Sequence, residues 1–339
     1  MTIAANAAVE EAPLDPDRPI IDPHHHLWEL MAAPGSFGAP HRALVHETAA
    51  MIAASGQNIV QTVAVEAGAM YRAHGPDLMK PVGEVEFLRG QAAMSDSGNY
   101  GSTRIAAAIV AGAPLHLGDA VAPLLEAEVE AGGGRLRGVR AETAYSPAGM
   151  FGRPCGEHRR GLIGSAAFRA GAARLAPMGL SLDIWCFHPQ LAQLGALADA
   201  LPDLTIILDH IGTPDHAAFA GQAAEADTQW HAAITALAQR PNVVVKVGGM
   251  GMDVTTTISG ASKGLPSEML ATRWRAYADH IIAAFTPFRA MFESNFPPDA
   301  ATASYGATWN AFKRIASPLS EGEKTALFSA TARRVYQLD

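Results

Sequence analysis

Two histidines separated by one residue follow a short apolar run near the start of the chain. Residues 20–28 read IIDPHHHLW, and the alternation of side chains along a strand puts His24 and His26 on one face and His25 on the other. Imidazole nitrogens are common ligands of zinc and similar divalent ions. We therefore predict that His24 and His26 mark a metal-binding or catalytic site. The alternative, a solvated turn or a tag remnant, fits poorly because the cluster completes an apolar run and lies away from the terminus.

Other polar side chains follow later apolar runs of the chain. They are Glu66, Arg140, Glu142, His188, His210, Glu293 and Asn295. In a barrel of parallel strands, the carboxyl ends of the strands lie at one mouth, and barrel enzymes keep their catalytic groups there. We expect these side chains to form a ring around one pocket. Carboxylates and imidazoles in such a ring serve as general acids, general bases or metal ligands.

Eight apolar, β-branched runs alternate with amphipathic or alanine-rich segments, as expected for repeated βα units around a parallel sheet. The predicted strands are residues 20–26, 59–66, 105–110, 136–142, 180–187, 204–210, 243–247 and 290–295. The predicted helices include residues 119–131, 166–176, 189–201, 217–239 and 269–284. We predict an α/β fold, a (β/α)8 TIM barrel with a C-terminal closing helix at residues 321–338. An open doubly wound sheet would usually show a glycine-rich phosphate turn after the first strand, and the chain has none.

Long connections rich in glycine and proline follow several predicted strands, at residues 29–42, 67–81, 144–161 and 248–266. In a barrel these loops lie over the same mouth and could roof a pocket. Residues 250–263 are our candidate for a mobile lid. We divide the chain into an N-terminal arm, residues 1–18, and a single barrel domain, residues 19–339.

Composition favours a globular protein that acts on small molecules. The 339 residues are 49% hydrophobic and 17% charged, so the chain can bury a large core. A formal net charge of -8 provides no basic surface for nucleic acid, and we find neither a secretory signal nor an apolar stretch of membrane-spanning length. Two cysteines cannot form a disulfide framework. We expect a cytoplasmic protein with a small-molecule substrate and without nucleic-acid or membrane partners, and we leave open a homo-oligomer.

Four phrases carry a resemblance to a known family. Residues 22–28 (DPHHHLW), 187–191 (FHPQL), 208–214 (LDHIGTP) and 241–246 (PNVVVK) resemble the amidohydrolase-related family, amidohydrolase family 2, and within it the lactonase-like branch. The resemblance covers residues 20–338 and implies a (β/α)8 barrel. It also implies that His24, His26, His188 and His210 surround the reacting carbonyl. The wider superfamily commonly binds one or two divalent metals there, although some lactonase-like members work without any.

One departure from the family pattern concerns the last predicted strand. Family members usually carry an aspartate there, in a phrase resembling SDWP, as a metal ligand or general base, whereas this chain reads SNFP with Asn295. A neutral amide cannot take a proton from water and contributes no charge to a cation. We expect another carboxylate to replace it, and we rank Glu66 first, Glu293 second and Glu142 third.

The remaining candidates receive roles that follow from their positions and from the resemblance. We expect His24, His26, His188 and His210 to bind one divalent ion, with zinc as the best candidate, or to polarise the carbonyl directly without a metal. We expect substrate contacts from Arg140, Arg72, Tyr71, Glu142 and Trp28, although Arg140 could instead pair with Glu142. Asp209 has the opposite strand parity to His210, so we expect it to face the helices and to orient a histidine.

The preferred function is hydrolysis of a lactone or a related cyclic ester of a small polar molecule. The first alternative is a decarboxylase or hydratase that acts on an aromatic or oxo acid on the same barrel. Such a lyase would need a clamp for an anion but no hydrolytic water. The second alternative is a binding protein in which Asn295 reflects lost catalysis.

Overall fold

The structure, a computed structural model, describes residues 11–29, 42–220, 222–260 and 263–339. Eight parallel strands form one sheet in which each strand pairs with the next along the chain. They are β1 (Ile20–His25), β2 (Ile59–Val65), β3 (Arg104–Gly112), β4 (Leu136–Glu142), β5 (Ser181–Trp185), β6 (Ile206–Leu208), β7 (Val243–Val247) and β8 (Ala290–Phe292). The eight predicted strands are confirmed, with several ends shorter than expected. Their apolar, β-branched residues are buried on both faces, as in other sheets covered by helices.

The sheet curls until β8 meets β1 at the carboxyl ends of the strands. His26 N donates to Phe296 O at 2.8 Å, and Asn295 N donates to His24 O at 2.9 Å. The predicted (β/α)8 barrel is therefore confirmed. Closure brings the histidines of the first strand against the residues that follow the last strand.

A buried carboxylate also connects the two ends of the sheet. Asp22 of β1 accepts hydrogen bonds from Ser294 N (3.1 Å), Ser294 Oγ (2.6 Å) and the Tyr305 hydroxyl (2.9 Å). Burial raises the pKa of Asp22 to about 6, although these hydrogen bonds favour the carboxylate. Because Asp22 also accepts from His24 N at 3.3 Å, this link orients the backbone that carries His24.

One helix follows each strand and covers the barrel. The helices are α1 (Val45–Ser55), α2 (Val82–Asp96), α3 (Ala122–Gly132), α4 (Ala166–Ala172), α5 (Leu191–Ala200), α6 (Ala223–Leu237), α7 (Ser267–Phe285) and α8 (Tyr305–Ile315). The helix expected at residues 217–239 begins only at Ala223. The closing helix, α9, runs through Glu321–Thr325, a π-helical turn at Ala326–Ala330 and Thr331–Val335. None of the helices in the described ranges is long and apolar enough to cross a membrane.

The described part of the expected N-terminal arm packs against α8. Lys313 Nζ donates to Leu14 O at 2.5 Å and to Asp15 O at 2.9 Å, and Asn310 Nδ2 donates to Ala12 O at 2.9 Å. Residues 1–10 of the arm and most of the loop at residues 29–42 lie outside the described residues. The division between arm and barrel domain stays a prediction.

Two buried carboxyl groups belong to α2 and α3, which pack against each other. Glu84 of α2 accepts hydrogen bonds from Ala67 N at 2.8 Å and Ala69 N at 3.1 Å. Glu128 of α3 is fully buried, and neither of its oxygens has a hydrogen-bond partner among the described residues. Burial, together with the like charges of Glu84 and Glu66, raises the pKa of Glu128 to about 9. Glu128 is therefore protonated in the folded protein at neutral pH.

We predict that Glu128→Gln makes the stability of the protein less dependent on pH between 4.5 and about 9. An acid whose pKa rises from 4.5 to about 9 on folding stabilises the folded state at low pH. This contribution is lost as the pH rises through that window, by up to about 1.4 kcal/mol for each pH unit. Since glutamine does not titrate, the free energy of unfolding of the variant should increasingly exceed that of the wild type as the pH is raised.

Chemical denaturation at a series of pH values measures this difference. The matched control is Glu130→Gln, because Glu130 is exposed on the same helix. The free energies of unfolding of the wild type and of Glu128→Gln could instead change in parallel between pH 4.5 and about 9. That result would contradict a buried, protonated carboxyl group at Glu128.

Candidate active site

Three imidazole rings meet at the carboxyl ends of the strands. The ring centroid of His24 lies 5.0 Å from that of His26 and 4.6 Å from that of His210. All three side chains are buried. His25 points away from them, and its Nε2 lies 2.7 Å from the Thr62 hydroxyl between strands. His24 and His26 therefore lie on one face, as the strand alternation predicts.

Glu293 fixes the tautomers of two of these rings. His210 Nδ1 donates to Glu293 Oε1 at 2.7 Å, and His24 Nδ1 lies 2.9 Å from Glu293 Oε2. Burial alone would raise the pKa of Glu293, but the adjacent His210 and His24 outweigh burial and lower the pKa to about 2. A carboxylate only accepts hydrogen bonds, so each Nδ1 carries the proton and each Nε2 presents a lone pair.

The third ring has the same tautomer for a different reason. His26 Nδ1 lies 2.9 Å from Val65 O, an acceptor, so Nδ1 carries the proton and Nε2 is free to accept. Burial lowers the pKa of His26 well below its usual value, and the charge of Arg140 adds to this effect. The ring stacks on Trp28 with centroids 5.5 Å apart, so Trp28 forms part of the wall of the site. His26 is therefore neutral at physiological pH.

A buried lysine lies below the rings and was missed by the sequence reasoning. Lys246 Nζ donates to Asp183 Oδ2 at 2.6 Å and lies 3.0 Å from Asp209 Oδ1 and 3.1 Å from His24 Nδ1. Tyr336 at the end of α9 donates its hydroxyl to Asp183 Oδ2 at 2.7 Å. Burial would lower the pKa of Lys246, but Asp183 and Asp209 together raise it. The sequence does contain a sign of this buried ion pair, because a charged residue interrupts each of the apolar strands VVVKV and SLDIW.

The position of Asp209 corrects the expectation that it faces the helices. Its side chain is fully buried inside the barrel, where Oδ1 lies 3.6 Å from His24 Nδ1. The parity argument fails because His210 and Ile211 adopt left-handed backbone conformations, with φ of 53° and 55°. A strand alternates faces only while its backbone stays extended. Asp209 and His210 therefore both reach the site.

Arg140 and Glu66 form an ion pair at the edge of the imidazole group. Arg140 Nε donates to Glu66 Oε1 at 2.7 Å, and Nη1 lies 3.4 Å from His24 Nε2. Arg140 thus pairs with Glu66, whereas the expected alternative partner, Glu142, binds Arg159 and has a side chain that is 73% exposed. Burial would lower the pKa of Arg140, but Glu66 and Asp209 raise it. The expected roles of Glu142 in substrate contact and as a replacement base stay predictions.

His188 does not join the group around His24. Its Nδ1 accepts a hydrogen bond from Asp215 N at 2.9 Å, and its ring packs 5.5 Å from Phe219. A ring that accepts at Nδ1 carries its neutral-state proton on Nε2, which leaves no lone pair for a metal. His188 therefore lies outside the group of candidate metal ligands in the described residues, and its expected metal and catalytic roles stay predictions.

Two residues of the loop after β2 are expected to contact the substrate. Arg72 pairs with Glu86 of α2, because Nε donates to Glu86 Oε2 at 3.1 Å on the surface. This ion pair engages the guanidinium of Arg72, and its expected contact with the substrate stays a prediction. Tyr71 remains 41% exposed, and its role in substrate binding stays a prediction.

Asn295 lies at the expected place but its side chain is engaged elsewhere. Asn295 Nδ2 donates to Asp299 Oδ1 at 2.6 Å, and Gly251 N donates to Asp299 Oδ2 at 2.8 Å. Burial raises the pKa of Asp299 to about 7. Asp299, four residues after Asn295, is a buried carboxyl group that the sequence reasoning missed. It also holds the start of the expected lid, in which Ser259 is buried, and the mobility of that segment stays a prediction.

The donor atoms fit a divalent metal ion. His24, Asp209 and His210 each offer one ligand atom, and these atoms lie within 4.8 Å of one another. Asp209 Oδ2 has no hydrogen-bond partner among the described residues. Two imidazoles and one carboxylate are a donor set that suits zinc. Glu293 completes the pattern, since metal-binding histidines usually donate their other ring N–H to a carboxylate.

Comparisons with known proteins agree with the fold. The chain is 32% identical over 342 residues to the uncharacterized protein y4mH of Sinorhizobium fredii, across 95% of this chain and 99% of that protein. It is 32% identical over 180 residues to the L-fucono-1,5-lactonase of Burkholderia multivorans, across 53% of this chain and 58% of the lactonase. The crystal structure of an amidohydrolase from Burkholderia multivorans with bound zinc is 26% identical, with a TM-score of 0.71, and covers 94% of this chain and 99% of that one. The model of the amidohydrolase family matches residues 21–338, so the chain belongs to the amidohydrolase family.

Proposed function

We propose that this chain hydrolyses the ring ester of a small, uncharged lactone. The observation that carries the proposal is the Glu66–Arg140 pair at the edge of the imidazole group, with Nε and Oε1 2.7 Å apart. It puts a carboxylate that can take a proton beside a cation that can stabilise a developing oxyanion. Ester hydrolysis needs both functions at the same carbonyl.

Arg140 has donors left for a substrate. Of the five N–H groups of the guanidinium, one binds the Glu66 carboxylate, one the Glu66 carbonyl and one points at His24 Nε2. The two that remain can donate to the carbonyl oxygen of the lactone. As this oxygen gains negative charge in the transition state, the hydrogen bonds strengthen.

Glu66 handles the proton of the attacking water. Gly68 N donates to Glu66 Oε2 at 3.1 Å, so the carboxylate is held from two sides. The water oxygen bonds to the carbonyl carbon while its proton passes to Glu66. The bond from that carbon to the ring oxygen then breaks, and the ring oxygen takes the proton as it becomes a hydroxyl group. The products are the open hydroxy acid and the original Glu66 carboxylate.

His24, Asp209 and His210 would hold a divalent ion, with zinc as our candidate. Such an ion, when bound, supplies Lewis-acid polarisation of the ester carbonyl. Glu293 keeps the Nδ1 proton of both histidines in place, and His26 Nε2 can accept a hydrogen bond from a substrate hydroxyl.

The charges at the site favour an uncharged substrate. Arg140 pairs with Glu66, and Lys246 with Asp183 and Asp209, so neither cation that the structure places against the histidines has an unbalanced charge with which to grip a substrate carboxylate. A decarboxylase would need such a grip. The name of the related L-fucono-1,5-lactonase also describes an uncharged sugar lactone as the substrate of that protein.

We predict that the purified protein opens aldono-1,5-lactones and that Glu66→Gln slows this reaction. Loss of the proton acceptor should lower kcat by about 10²- to 10⁴-fold, the usual contribution of a general base. A pH-indicator assay of acid release measures the rate. The matched control is Glu142→Gln, since Glu142 is the exposed carboxylate at the end of β4, and we expect it to keep wild-type kcat.

Two outcomes would count against this proposal. Equal rates for Glu66→Gln and the wild type would remove Glu66 from proton transfer. Absence of turnover for every uncharged lactone tested, with release of carbon dioxide from an aromatic acid, would select the lyase.

We also predict that Glu293→Gln weakens zinc binding. An amide cannot accept from both His24 Nδ1 and His210 Nδ1 as a carboxylate does, so affinity should fall by about 10- to 100-fold, as it does when a partner of a metal-binding histidine is lost. Competition with a chromophoric chelator measures the Kd of zinc directly. Glu128→Gln serves as the control, because it removes a buried carboxyl group that does not contact the histidines. Equal zinc affinity in Glu293→Gln and the wild type would place the ion elsewhere.

A further inference from the structure

A pocket of about 550 Å³ lies between the N-terminal segment and three helices. Its walls come from residues 14–18, α7, α8 and α9. It shares no lining residue with the candidate active site. A volume of this size accommodates a small metabolite.

The pocket carries an excess of positive charge. The cationic side chains in its walls are Arg18, Arg275, Lys313, Arg314 and Lys324, and the acidic ones are Asp15 and Glu268. Glu321, just outside, pairs with Arg18 at 2.7 Å and with Lys324 at 3.0 Å. Five cations against two carboxylates give the walls an excess of positive charge, which the bordering Glu321 and Glu11 reduce but do not cancel, although the chain as a whole has a net charge of -8. Such a local reversal of sign attracts an anion.

Two arginines in the wall have uncommitted donors. Arg275 Nη1 and Nη2 donate to the Ile315 and Arg314 carbonyls at 3.3 and 3.0 Å, which fixes the guanidinium at the end of α8. Arg314 Nε donates to Ser267 Oγ at 2.9 Å. Each guanidinium has five N–H groups, so three on Arg275 and four on Arg314 remain. Within the described ranges, no carboxylate lies within 4.0 Å of either arginine, and Glu11 reaches Arg314 only through Ser267.

We propose that this pocket binds a small molecule through a dianionic phosphate group. The negative charge of a phosphate dianion suits the excess positive charge of the walls, and its oxygens fit the planar donor forks of Arg275 and Arg314. Lys313 contributes its positive charge but no hydrogen bond to the ligand, because its three N–H groups already bind Leu14 O, Asp15 O and Gln57 Oε1. The same lysine ties the N-terminal segment to the pocket, so the ligand also stabilises that segment.

A second surface pocket of similar size has balanced charges in its walls. It has a volume of about 670 Å³ and is lined by α2 and α3. Its charged residues are balanced, with Arg72 and Arg89 against Glu86 and Glu130. It therefore provides a control of similar size without excess charge.

Isothermal titration calorimetry of the full chain with inorganic phosphate and with glucose 6-phosphate tests the proposal. We expect saturable binding of at least one probe, weakened by salt, and the tighter probe identifies free phosphate or a phosphate ester as the ligand. Arg314→Gln should raise the Kd at least tenfold, while Arg89→Gln in the balanced pocket leaves it unchanged. Arg314→Gln keeps both bonds of Arg275 to the end of α8, and circular dichroism verifies that the variant is folded.

The proposal is overturned if neither probe binds with a Kd below about 10 mM. It is also overturned if Arg314→Gln and Arg89→Gln bind the probes equally, because the anion would then lie elsewhere. Both results are independent of the lactonase assay, since they require no turnover.

Discussion

The site depends on how the barrel pairs the charges that it buries. Lys246 and Arg140 are held among Asp183, Asp209, Glu66 and Glu293, and an unpaired charge at this depth would cost several kcal/mol. Removal of one charged side chain would leave the charges of its buried partners uncompensated. The positions of the imidazoles follow from this network, because Glu293 and Lys246 both face His24. The chemistry at the mouth of the barrel therefore rests on a lysine and carboxylates that lie below it.

Most of the fold could be predicted from local patterns. Apolar runs predicted all eight strands, and strand alternation separated His24 and His26 from His25. The prediction failed for Asp209, since the left-handed backbone at His210 and Ile211 ends the alternation. Residue types and their spacing do not determine the φ angle at these two positions. Nor could spacing show that His188 accepts at Nδ1, because that bond depends on the path of the loop that carries Asp215.

Asn295 stands where family members usually carry an aspartate, and its contact with Asp299 suits an amide. The amide of Asn295 donates to Asp299, and a carboxylate at position 295 would repel that acid across the same 2.6 Å contact. Glu293, two residues earlier, supplies the negative charge beside His24 and His210. Sequence reasoning ranked Glu293 below Glu66. The structure gives these residues separate duties, with Glu293 orienting imidazoles and Glu66 paired to Arg140.

Closure of the barrel between its first and last strands also sets the order in which the site can form. The bond from Ser294 Oγ to Asp22 joins positions 272 residues apart. Contacts at such separation form late, since they close a very long loop of chain. On a ribosome, His24 and His26 emerge long before Glu293. Nascent His24 therefore meets solvent and free metal ions before Glu293, the carboxylate that lies beside it in the folded protein, has been synthesised.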